Sequence, residues 1–467
     1  LVYERLHQHA DHFHYDVNLP WNRSRAGAAN GFGGGHAHVG MAVYQADHFP
    51  KSWRNKLLTW NQHGRRLNVE RLERKGSGYA GRHEPDVFLN SDEWFRGMEV
   101  SVGPDGAIYG LDWSDTGECH DHTGVHRTSG RIYKFHYKQN PVADLSALQK
   151  SADEPEAILR HPNAWFARQW LRSLSERRLT YHKKTIQVCE KFLGNEKEPA
   201  LIRLRALWAL HAMGFAKPES LLEDPDEHVR TWAVRLLTDK WPIDSLFGPR
   251  PNRLSKGDAK LEKKFVQLAK SDPSGLVRLA LASTLQRLPV SSRGELAQAL
   301  AGRVEDGQDH NLPAMVWYGI TPMAESDPQA LVGVARATKW TNLRQWIARS
   351  LTDQAKERPE GLQALLSLIM DQPVNSDSLL LGMEEAFRGI KQVDKPKDWG
   401  RVRKKLGRNP GVLRLSALFG DEGAMEDFAK LVSDVGADTQ ARRGALQALI
   451  DAQAPGLEKL CMDLLAD

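Results

Sequence analysis

The sequence predicts a multidomain chain: a partial all-β propeller, its last two to three blades, over residues 1–140, followed by an all-α, HEAT-like solenoid over 141–467. Three observations carry this. The first 140 residues hold 17 of the 38 glycines and 13 of the 18 histidines. Their apolar residues fall in short bursts between turn formers, a pattern of strands. From about residue 145 the apolar spacing changes to three and four, the period of helices packed on one face.

In the first part the bursts are Val39–Tyr44, Lys56–Trp60, Glu99–Val102, Ala107–Asp112 and Arg131–Tyr137. Gly103-Pro104-Asp105-Gly106 lies between two of them as a tight turn, with Pro fixing φ and Asp-Gly supplying the positive-φ position. Strand, turn, strand is the hairpin grammar of a propeller blade. Two to three blades do not close a ring of about four or more, so further blades are expected upstream of Leu1. The polar, His-rich start at Leu1–Tyr15 lacks the basic and apolar regions of a secretion signal, which predicts a chain that begins inside a longer protein.

In the second part a local pattern recurs. Asp224-Pro225 precedes Val229-Arg230, Asp272-Pro273 precedes Val277-Arg278, and Asn409-Pro410 precedes Leu413-Arg414, with weaker copies around Arg168, Arg344 and Arg442. Asp-Pro predicts a helix start, the Asp capping free amides and the Pro occupying the first helical position. Helix pairs of this kind bury their apolar faces by stacking. Trp208, Trp232 and Trp317 are expected in that core.

Composition narrows the function classes. The chain has 64 basic and 59 acidic residues, mixed along its 467 positions, for a net charge of +5. No basic block argues for nucleic acid. No apolar run of about 18 residues argues for a membrane span. Cys119, Cys189 and Cys461 are too few and too scattered for a disulfide framework or a thiolate zinc cage. No C-x-x-C-H occurs, so this chain does not itself attach a c-type haem.

Three stretches carry candidate chemistry. Gly33-Gly34-Gly35-His36-Ala37-His38 sets two imidazoles two residues apart, on one face of a strand, suited to a metal or to proton transfer. Asn61–Asn68 follows a strand and places His63 near its end, with Arg65 and Arg66 in a long turn. Arg96 precedes the strand Glu99–Val102, where a guanidinium suits an anionic ligand. Beyond it, Asp115–Asp121 packs acids, Cys119 and His120 into seven residues, either ligands for a divalent cation or turn formers capping loop amides. A metal hydrolase built on His36, His38 and Asp112 is a further, weaker possibility.

These stretches also carry a resemblance. Gly35 through Tyr133 resembles the last blades of the soluble pyrroloquinoline-quinone sugar (glucose/sorbosone) dehydrogenase-like propellers. Laid on their motifs, the first segment falls on Val39–Tyr44, the cofactor-facing Lys position on His63, and an Arg pair on Arg96 and Met98. The chain resembles more closely the planctomycete and verrucomicrobial "membrane-bound dehydrogenase" or haem-binding proteins. That likeness rests on residues 33–41, 63–72, 76–79, 81–86, 94–96, 112–121 and 126–133, and on Asp309–Pro313 with Trp317-Tyr318-Gly319.

The resemblance implies a periplasmic or exported oxidoreductase acting on a sugar or an alcohol. It implies pyrroloquinoline quinone and calcium as cofactors, and a c-type haem domain beyond this chain. His38 and His63 are then the catalytic candidates, and Arg96, His36 and Asp112 the cofactor-binding ones. A chain of this extent is expected to be inactive by itself. The alternative is a scaffold, with the propeller recognising glycan or protein and the solenoid presenting a surface to a protein partner.

Overall fold

A computed structural model of the chain describes residues 38–62, 64–92, 94–114, 128–176, 183–245, 256–390, 393–407 and 409–466. The chain divides into two compact units, Leu1–Leu236 and Leu237–Asp467. All described strands lie in the first; helices follow from Ser146 onward in both.

The first unit begins with a four-stranded antiparallel sheet in the order β1 (His38–Val43), β2 (Leu57–Asn61), β3 (Arg66–Lys75), β4 (Gly78–Val87). A three-stranded antiparallel sheet follows, β5 (Gly97–Val102), β6 (Ile108–Asp112), β7 (Arg131–Phe135). The expected propeller blades over 1–140 are therefore corrected. The described strands form these two small sheets, and no propeller is closed. The physical reason is that short strands and a Gly-Pro-Asp-Gly turn specify local antiparallel pairing in any β-fold. Closure into a ring depends on contacts between distant strands that a local pattern does not encode.

The two sheets share a core. Leu58 and Trp60 of β2 face Val69 and Leu67 of β3, all buried, and Phe95, Val100 and Ile108 pack on them from the other sheet. Trp60 is fully buried, and its indole Nε1 donates to the Glu99 carbonyl at 2.8 Å. Its ring lies directly over Gly97 and Gly110, where an added Cβ would come within 2.5 and 2.6 Å of ring atoms. Only glycine admits so close an approach.

The hairpin β3–β4 turns on Gly76-Ser77, Gly76 supplying the positive φ of 53° that a two-residue connection needs at its first position. It is ten residues to a strand and rich in charge, with Glu73 held between Arg71 and Arg82. Near its far end Leu67 opposes Val87 while Val69 opposes Glu84, so Asn68 faces two residues, Pro85 and Asp86. This β-bulge accommodates Pro85, which has no N–H for a ladder, and turns Asp86 to the same face as Asn68.

The helices of the first unit follow their apolar spacing. In Ala164–Ser175 the buried residues are Ala164, Phe166, Ala167, Trp170 and Leu174. Asn163 caps it, accepting from the Trp165 amide at 3.0 Å, and its side-chain amide donates to the carbonyls of Gly103 and Pro104 in the β5–β6 turn. One residue thus starts a helix and docks it on the sheet. Lys183–Gly194 and Ala200–Met213 complete this bundle around Cys189, Phe192 and Ala206.

In the second unit the helices form two layers, a solenoid-like arrangement. Gly275–Thr284, Leu312–Ile320, Thr341–Asp353, Ser376–Ala386, Pro410–Leu418 and Thr439–Asp451 lie side by side in one. Ala259–Ser271, Arg293–Ala301, Pro328–Ala337, Pro359–Asp371 and Trp399–Leu406 form the other. No helix among the described residues is long and apolar enough to cross a membrane.

The helix starts differ in one respect from expectation. Asn409 does cap its helix, with Pro410 in the first position. At the two Asp-Pro sites the cap comes two residues later: Asp226 accepts from the His228 and Val229 amides, and Ser274 from those of Leu276 and Val277. Asp224 and Asp272 instead fold the preceding turn, accepting from the amides of Asp226 and Ser274. Trp208, Trp232 and Trp317 are half-buried rather than in the core; Trp208 meets Trp232 edge-on at 4.9 Å. Among the described residues the fully buried indoles are Trp60, Trp170, Trp340 and Trp399.

Candidate functional site

Opposite its apolar face, the four-stranded sheet carries a polar one. Register places Asn61 opposite His38 and Arg66, Asn68 opposite Thr59, and Glu70 opposite His83, while the bulge adds Asp86. Asn68 is 1 % exposed and Glu70 5 %, so amide and carboxylate are held away from water. Buried polar groups of this kind persist where they are bonded to one another.

The bonding runs across three strands. Asn68 Nδ2 donates to Asp86 Oδ1 at 2.7 Å. A carboxylate accepts only, so this bond fixes the Asn68 amide with its oxygen toward β1. That oxygen lies 3.0 Å from Nε2 of His38 and requires a donor there. The neutral His38 ring is thereby held as the Nε2–H tautomer, with the lone pair on Nδ1, the form that accepts a proton.

Asp86 is held from the other side as well. Arg66 Nε lies 2.8 Å from its Oδ2, and His83 Nε2 3.4 Å from its Oδ1. Burial pushes the Asp86 carboxyl above its usual range, against the opposing pull of Arg66 and His83. His83 Nδ1 meets Glu70 Oε1 at 2.9 Å, while Glu70 Oε2 is buried with no hydrogen-bond partner among the described residues. A buried acceptor without a donor is costly, and a ligand hydroxyl or a water would satisfy it.

The structure brings one sequence-assigned residue, His38, into this network. His36 and His63 lie outside the described residues, as does the Asp115–Asp121 stretch with Cys119 and His120. Arg96 and Asp112 lie together elsewhere, at the start of β5 and the end of β6. The Arg96 amide donates to Asp112 Oδ1 at 2.8 Å, and its guanidinium, 2 % exposed as a residue, donates to the carbonyl of Phe95. Asp112 also accepts from the Ser114 amide and, at 2.6 Å, from Arg131 Nε. Arg131 in turn bridges to Asp92 at 2.6 Å. Both residues are thus bonded to neighbours within the fold. Among the described residues no group of three His, Cys, Asp or Glu side chains is placed to hold a metal ion.

Asn68, Glu70, His83 and Asp86 were not singled out from the sequence one by one. The signal was the alternation Arg66-Leu67-Asn68-Val69-Glu70, polar and apolar in turn, which belongs to a strand and not to a turn. Residues 6–139 match the model of a domain of unknown function, DUF7133. Both sheets lie in that span. None of the curated proteins matches the chain.

Proposed function

We propose that the polar face of the β1–β4 sheet binds a hydroxyl-bearing ligand, a sugar or an alcohol, and that His38 takes the proton from one hydroxyl. The observation that carries this reading is the chain Asp86–Asn68–His38, which orients an imidazole by an amide that is itself oriented by a carboxylate. The O–H bond breaks as a bond forms at Nδ1 of His38, while Glu70 Oε2 offers an acceptor to a second hydroxyl. The resemblance to quinone-dependent sugar dehydrogenases supplies the reaction class, an oxidation in the periplasm or outside the cell, with the electron acceptor bound beyond the described residues.

A second reading, a non-catalytic scaffold for glycan or protein, is favoured by one observation. Arg96 and Asp112, assigned to a cofactor, spend their bonds on the fold.

The test is calorimetric titration of the whole chain with a panel of sugars and alcohols, then dye reduction with added pyrroloquinoline quinone and calcium. Binding weakened about tenfold or more in both His38→Ala and Asn68→Ala is expected, as for a lost buried hydrogen bond. Binding without dye reduction supports the scaffold. No binding by any member of the panel overturns the ligand site.

A further inference from the structure

A second charged cluster, independent of the polar face, lies in the first unit where the helices meet the sheets. Arg205, on Ala200–Met213, is 3 % exposed and donates from Nη1 to the carbonyls of Leu159 and His161, at 2.8 and 2.9 Å. Arg54, just after the short helix Lys51–Trp53, donates from Nη2 to the carbonyl of Pro162 at 2.7 Å. Arg168 is exposed on Ala164–Ser175, one and a half turns beyond those carbonyls.

The repeat pattern explains why these arginines collect. Elsewhere one arginine, at the fourth helical position, serves the carbonyls before its own helix: Arg230 reaches both Asp224 and Pro225. Here the fourth position is Ala167, and His161 and Pro162 are served from outside by Arg205 and Arg54. Arg168 stands one residue out of register and takes no carbonyl.

Among the described residues no carboxylate balances the three. None of them forms an ion pair among the described residues, whereas Arg203, two residues before Arg205, is paired with Asp224. Asp47 and Asp144 are near enough to act on His161. Arg205 Nη2 is buried with no hydrogen-bond partner among the described residues. Burial, then the charges of Arg54 and Arg168, push the Arg205 guanidinium down to about 10, so Arg205 stays cationic at neutral pH. Beside Arg168 a groove of about 560 Å³ opens, with Met41, Val43, Pro104, Tyr109 and Trp165 on its walls.

We infer that Arg54, Arg168 and Arg205 hold a tetrahedral oxyanion, the phosphate or sulfate group of a small ligand whose organic part lies along the Trp165 groove. Guanidinium forks match such oxygens in geometry, and an anion supplies the acceptors and the charge the cluster lacks.

The experiment is calorimetric titration of the whole chain with inorganic phosphate and inorganic sulfate, against chloride at equal ionic strength. Saturable binding of phosphate or sulfate is expected, weakened about tenfold or more in Arg168→Ala, which touches only an exposed side chain. Arg205→Lys, which keeps the charge but loses the fork, is expected to weaken it as well. Preference for one anion identifies the ligand group as phosphate or sulfate. No saturable binding, or equal binding by Arg168→Ala, overturns the proposal. The outcome is separable from the sugar titration, because His38→Ala leaves this cluster intact.

Discussion

Arg278 donates from Nη1 to the carbonyl of Asp272, 2.8 Å away and six residues earlier in the chain. Arg230 makes the same bond to Asp224 at 2.8 Å, and Arg344 to Thr338 at 2.5 Å. In all three the acceptor lies three residues before the first helical residue and the arginine is the fourth. The recurring Val-Arg of the sequence is thus a clasp that closes each helix onto the turn before it. Arg278 goes further and pairs with buried Asp306 through Nε and Nη2, the latter at 2.7 Å.

Arg278→Ala is expected to lower the stability of the second unit by about 3–5 kcal/mol, because it leaves Asp306 buried and unpaired. Urea denaturation followed by circular dichroism reads this directly. The double variant Arg278→Ala/Asp306→Ala is expected to lose less than the single one, since the stranded charge is gone. A double variant at least as unstable would show that the carbonyl bond, not the ion pair, carries the effect.

Gly110→Ala sets a methyl group against the Trp60 indole. The expected loss is about 1–3 kcal/mol, the range for overpacking a filled core. Trp60→Leu in the same chain opens space and is expected to make the alanine better tolerated. Denaturation midpoints of the two single variants and the double variant test this; an additive result would mean that the ring and the methyl do not meet.

Two histidines set an acid limit. His161 stacks on Phe166 at 3.9 Å and accepts from the Asn163 amide at Nδ1, and His48 accepts from the Tyr137 amide at Nε2, 2.9 Å. Burial lowers the pKa of both below the ordinary 6.5. The unfolded chain therefore binds protons first as pH falls, and stability is lost below about pH 6.5. Half-buried Asp86 and Glu384 have raised values and act in the opposite sense. Comparing urea midpoints at pH 7.5 and 5.5 for the parent and for His48→Gln/His161→Gln isolates the imidazoles. The variant is expected to show the smaller loss on acidification; an equal loss would remove these residues from the account.

Cys189 is fully buried, and burial pushes its thiol up to about 12. At pH 8 its thiolate fraction is then about 10⁻⁴, against roughly a quarter for an ordinary thiol. Cys461 is only partly buried. Alkylation of the folded chain followed by peptide mapping is expected to label Cys461 well before Cys189. Rapid labelling of Cys189 without denaturant would contradict its packing against Ile158, Trp170 and Phe192.

The strands legible in the sequence were those whose buried residues are apolar. The bursts at Val39, Lys56, Glu99, Ala107 and Arg131 correspond to β1, β2, β5, β6 and β7. β3 and β4 escaped because their alternation is of charge against small or apolar residues, and one face is a buried polar network where sequence rules expect an exposed one. The candidate site lies on that face, so missing the hairpin meant missing Asn68, Glu70, His83 and Asp86 together. His38 was legible because an H-x-H pair stands out alone. Its partners were not, because they are thirty and more residues away and meet it only through register. The propeller reading failed for a related reason: hairpins are written locally, and the way sheets close is not.

The bulge opposite Asn68 has a consequence for comparing chains. Because the bulge lies between Glu84 and Val87, Asp86 shares a face with Asn68; if the Glu70–His83 register ran on residue for residue, Asp86 would oppose Leu67 and point to the Trp60 side. The position of the bulge in the β3–β4 pairing is therefore a marker as informative as residue identity. A related chain that keeps the aspartate but carries its bulge elsewhere along the hairpin has lost the orienting carboxylate, and an alignment of residue identities would hide it.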